Sequence, residues 1–134
     1  MYGLDTNVLV RYLLKDDPGQ AEQARLAIEN ALLSGEPVMV GLLTMLETEW
    51  VLRSCAALGK NTIITVFRLL LEARDVKIEH EETLEESLYL YENHDADFAD
   101  CLMAARYARL GCVSMLTFDR KAAKLPGVVA LSSP

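Results

Sequence analysis

Short apolar runs alternate along this chain with segments of helical pattern, and that alternation limits its fold more than any other feature. Residues 2–5, 38–42, 76–78 and 113–118 read as strands, and 128–131 as a closing edge strand. Between them the apolar spacing predicts helices. One carries Val8, Leu9, Tyr12 and Leu13, and a second runs from Pro18 to a stop at Gly35. Two more span 44–58 and the segment from Asn61 through Leu71, followed by 82–92, 98–110 and a short piece at 120–125. Strands that alternate with helices assemble into a parallel sheet covered on both faces. The expected fold is therefore α/β, a three-layer α/β/α sandwich around a central, mostly parallel sheet. At 134 residues the natural reading is one domain, 1–134.

Four acids sit where such a fold delivers functional groups, outside the carboxyl ends of strands. Asp5 closes the first run, Glu47 opens the helix after the second, Asp100 lies in the first turn of the 98–110 helix, and Asp119 follows the strand at 113–118. Each also has a purely structural account. Asp5 is followed by Thr6 and Asn7, either of which can cap the first helix and leave Asp5 for another task. Thr44 and Glu47 have the spacing of a capping box. Asp97 and Asp100, at i and i+3, fit an N-cap and a dipole-complementing acid. Asp119 can cap the short helix after it. The structural accounts do not predict all four at the same edge of one sheet. Carboxylates meeting there repel unless a cation neutralises them, and oxygen-only ligands suit Mg²⁺ or Mn²⁺. A metal-dependent phosphodiester-cleaving enzyme is the expectation.

Charge at first opposes that reading. The net charge is −7, and residues 78–105 hold nine acids and no Lys or Arg. Phosphate neutralisation supplies most non-specific nucleic-acid affinity, so an acidic chain needs another source of attraction. A bound cation is one, because it inverts the sign that a phosphate meets. Most acids between 79 and 92 read as a solvated helix face. Cys55, Cys101 and Cys112 are odd in number and form no C-x-x-C pair, which predicts reduced, buried thiols. His80 and His94 lack metal-ligand spacing. No apolar stretch approaches the roughly 20 residues of a membrane span. Asp5 comes too early for a signal-peptide core, so a cytoplasmic protein is expected.

Phosphate-binding glycine loops, a dinucleotide fingerprint and a nucleophile elbow are all absent from the sequence. A phosphoacceptor receiver would want paired acids after the first strand and a Lys after a late one, where this chain has Asp119. Four blocks of the sequence, taken in order, resemble the PIN domain, and more narrowly its VapC-type toxins of bacterial toxin–antitoxin pairs. They are Gly3-Leu4-Asp5-Thr6-Asn7-Val8-Leu9-Val10-Arg11, Glu47-Thr48-Glu49-Trp50-Val51-Leu52, the block from Asp97 through Ala105, and Leu116-Thr117-Phe118-Asp119. The resemblance implies a single-stranded RNA endonuclease using Mg²⁺ or Mn²⁺, with Asp5, Glu47, Asp100 and Asp119 as its acids. Asp97 matches an additional acid of one branch, and Thr6, Asn7 and Thr117 are supporting polar positions. Glu49 departs from the pattern, standing where an apolar residue is expected. A homodimer and a cognate antitoxin are also implied. The alternative is a PIN-fold or receiver-like module that binds a protein partner without cutting.

Overall fold

The structure, a computed structural model, describes residues 1–131. The last three residues of the expected domain, 132–134, lie outside the described residues. The chain divides into two compact units, Met1–Glu81 and Glu82 onwards.

The first unit is built on three parallel strands in the order β1-β2-β3: β1 Tyr2–Gly3, β2 Val38–Val40 and β3 Val76–Ile78. Tyr2 pairs with Val38, Val38 with Val76, and Val40 with Ile78. The central strand reads as buried, with Val38 at 2% and Val40 at 0% exposure, as a strand with neighbours on both sides requires. Four helices connect and cover the strands: α1 Thr6–Leu14, α2 Pro18–Leu33, α3 Leu42–Ser54 and α4 Lys60–Glu72. Leu9, Met45, Leu52, Ile63 and Phe67 are fully buried.

Several helix boundaries follow the expected chemistry. Asp17 caps α2 by accepting the Gln20 amide at 3.1 Å, with Pro18 in its first turn. Gly35, just past that helix, takes φ +79°, a conformation that costs glycine little. Other boundaries differ. α1 is capped by Asp5 itself rather than by Thr6 or Asn7. α3 begins at Leu42 and ends at Ser54, not at 44 and 58, and Gly59 is the N-cap position of α4 rather than a stop for α3. Asn61 lies inside α4, which has no side-chain cap.

The second unit contains α5 Glu81–Asn93, which starts at the boundary, α6 Phe98–Arg109, and two parallel strands, β4 Met115–Thr117 and β5 Val128–Ala130. A 3-10 turn, Ala122–Lys124, lies between the strands, with Ala122 and Leu125 buried. Tyr91 and Phe98 pack edge to face at 5.4 Å and 65°. The chain is thus α/β with parallel pairing throughout, as expected. Its described strands form two ladders, β1-β2-β3 in the first unit and β4-β5 in the second. Of the three thiols only Cys101 is buried; Cys55 and Cys112 are exposed, because one follows the last turn of α3 and the other the end of α6. No described helix is long and apolar enough to cross a membrane.

Candidate active-site carboxylates

In the first unit, Asp5 and Glu47 open onto one cleft of about 310 Å³, lined also by Thr6, Asn7, Leu43 and Thr44. Asp5 reaches it because β1 ends at Gly3 and α1 starts at Thr6. Glu47 reaches it from the second turn of α3. Both acids are exposed, whereas Thr6 is 8% exposed. Asp5 serves two ends at once: its Oδ1 accepts the Val8 amide at 2.9 Å, and that bond uses Oδ1 alone.

The Thr44–Glu47 capping box does not form. α3 starts three residues earlier than the box requires, at Leu42, with Gly41 rather than Thr44 as its N-cap and no local side-chain bond. Instead the Leu42 amide donates to Glu79 Oε1 at 2.9 Å. Glu79 stands just after β3, and its own amide donates to Val40 O at 2.9 Å. Glu79 had been grouped with the solvated acids of 79–92. The signal that would have separated it is its place directly after an apolar strand, shared with Asp5 and Asp119. Glu49, the departure from the family pattern, is 2% exposed and accepts Arg53 Nε at 2.8 Å. It is not among the residues lining the cleft.

In the second unit, Asp97, Asp100 and Asp119 form an electrostatic group. The Asp100 carboxyl is pushed above the ordinary carboxylate range, first by burial, then by the charges of Asp119 and Asp97. Asp97 occupies the N-cap position of α6, but its side chain makes no cap bond. Asp119 Oδ1 accepts the amides of Lys121 and Ala122 at 2.8 and 2.9 Å, as the capping account predicted, and the Asp119 amide donates to Thr117 Oγ1 at 3.0 Å.

The donor set suits a hard divalent cation, being entirely oxygen. The acids do not converge into a cage, however: among the described residues no three His, Cys, Asp or Glu side chains stand close enough to hold a metal ion. Asp5 and Asp119 each turn one oxygen onto backbone amides.

The family model of the PIN domain matches residues 2–128. No curated protein matches the chain.

Proposed function

Because the chain belongs to the PIN domain family, whose members are generally nucleases, we propose that it is a metal-dependent endoribonuclease, the toxin component of a type II toxin–antitoxin pair. The observation that carries the reading is the cleft where Asp5 and Glu47 meet within a PIN-domain sequence. Asp5, Glu47, Asp100 and Asp119 are proposed as the catalytic acids. Mg²⁺ or Mn²⁺, when bound by these acids directly or through water, would supply Lewis acidity and a more acidic water, and Asp97 is the further acid that would join them.

The chain's own groups supply the rest. Asp5 and Asp119, already tied by one oxygen to backbone amides, hold their carboxylates in fixed orientations. Thr6, Asn7 and Thr44 offer hydrogen bonds along the cleft to a phosphate or sugar, and Thr117 fixes the turn that carries Asp119. Arg120 and Lys121 follow Asp119 and are exposed, giving phosphates a cationic edge. In a chain of net charge −7, unpaired nucleotides in single strands or loops are a better-fitting substrate than a long duplex held by many phosphate contacts. A separate antitoxin restrains the activity, the toxin is a homodimer, and both work in the cytoplasm. An apolar surface around Leu9, Leu13, Val66 and Leu69 is expected to serve those partners; of these Leu69 is exposed and Leu13 and Val66 are half-buried, but Leu9 is fully buried and belongs to the core.

Two observations favour the protein-binding alternative: Asp5 and Asp119 both accept backbone amides at helix starts, and among the described residues no metal cage is preformed. Thermal melting separates the two readings. The nuclease reading expects Mn²⁺ to raise the melting temperature of the wild type and not that of Asp5→Asn. Equal shifts in both, or none in either, favour the binding module.

A further inference from the structure

A helix start leaves amide groups without partners, and a side chain at the N-cap normally satisfies one. At α3 the N-cap is Gly41, which has no side chain to give. The partner comes from 37 residues away, where Glu79 Oε1 accepts the Leu42 amide at 2.9 Å. Glu79 is itself fixed by its amide bond to Val40 O, which extends the β2–β3 ladder by one rung. The two bonds close a clamp across the β2–α3 turn. One end holds the strand before the turn and the other holds the helix after it.

The helix so held carries Leu43, Thr44 and Glu47 into the cleft. The clamp also explains why Glu47 faces that cleft, since a capping box would have drawn its carboxylate back to the helix start. We infer that Glu79 is a positioning residue for the catalytic Glu47, setting the start and pitch of α3 without touching substrate. This rests on the nuclease reading above.

Two substitutions test it. Glu79→Ala removes the acceptor. Gly41→Ser, added to Glu79→Ala, supplies a local cap, because Gly41 has φ −78° and ψ 161°, extended backbone that serine adopts. A Cβ at Gly41 meets only Glu79 Oε1, at 3.5 Å, an ordinary contact. Three readouts are needed: amide hydrogen exchange at Leu42, Mn²⁺ quenching of Trp50, and cleavage of single-stranded RNA. Trp50 is the sole tryptophan and stands one turn beyond Glu47 on α3.

In Glu79→Ala the Leu42 amide exchanges faster, Mn²⁺ quenching weakens, and kcat falls about tenfold or more with little change in KM, since small misplacements near a reacting centre are costly. Adding Gly41→Ser restores quenching and kcat, while the Leu42 amide stays fast, because an N-cap serine takes the Leu43 or Thr44 amide instead. A Leu42 amide that stays protected in Glu79→Ala overturns the clamp. Faster exchange with unchanged quenching and kcat overturns the positioning role and leaves Glu79 a structural cap. A folded wild type that neither binds Mn²⁺ nor cuts RNA overturns the nuclease reading, and the positioning role with it, while the Leu42 exchange still reports the clamp alone.

Discussion

Asp100 shows how a single side chain ties folding to chemistry. Its carboxyl lies above the ordinary range because burial and the charges of Asp119 and Asp97 all disfavour its ionised form. The sign of the linkage follows. A carboxyl raised in the folded state binds its proton more tightly than in the unfolded chain, so it favours folding below its unfolded value near 3.8 and loses that contribution as pH rises through the folded value. Asp100→Asn should therefore melt higher than the metal-free wild type at neutral pH, with the difference fading as pH falls toward 3.8; melting curves across that range check it. A mutant that melts lower at neutral pH contradicts the electrostatic account. The neighbouring Asp97 offers a contrast. Its side chain makes no cap bond, so Asp97→Ala should change stability by less than about 0.5 kcal/mol in denaturant titration. The same change should lower the Asp100 carboxyl, seen by NMR titration, because one like charge has gone.

Among the elements, the caps and the core make different demands. Asp17→Ala removes the side-chain acceptor at the start of α2 and should cost about 1 kcal/mol. Phe67→Ala on α4 opens a fully buried site and should cost about 3–5 kcal/mol. Urea unfolding distinguishes the two, and similar costs would show that Phe67 is not the core anchor its burial indicates. The same contrast explains what the sequence made legible. Asp17-Pro18, the runs around Val38 and Val76, and Gly35 and Gly111 carry local signals that only one structure satisfies, and the elements they mark were readable in advance. The start of α3 was not, because its cap is a long-range bond from Glu79, and sequence spacing showed only the unused Thr44–Glu47 pair. The apolar run 113–118 predicts a strand, yet β4 spans only Met115–Thr117 and Val113 is fully exposed. For the site, the strand-end pattern names Asp5, Glu47, Asp100 and Asp119 as candidates, of which Asp5 and Glu47 line one cleft. Their orientation could not be read, since whether Asp5 turns toward Val8 or a ligand depends on the competition between a backbone amide and a cation.

At the scale of the whole molecule, the family match spans residues 2–128 and so takes in every proposed acid. On the proposed reading, the net charge of −7 would make the enzyme depend on its cation for attraction as well as for chemistry. The most direct test of this account is a cleavage assay on labelled single-stranded RNA, structured RNA including transfer and ribosomal RNA, and duplex DNA. It is run with Mg²⁺ or Mn²⁺, with chelator, and with Asp5→Asn. The account predicts that the wild type cuts unpaired RNA, that chelator stops it, and that Asp5→Asn is inactive while remaining folded. Cleavage of duplex DNA in preference to RNA, or undiminished cutting by Asp5→Asn, would contradict it.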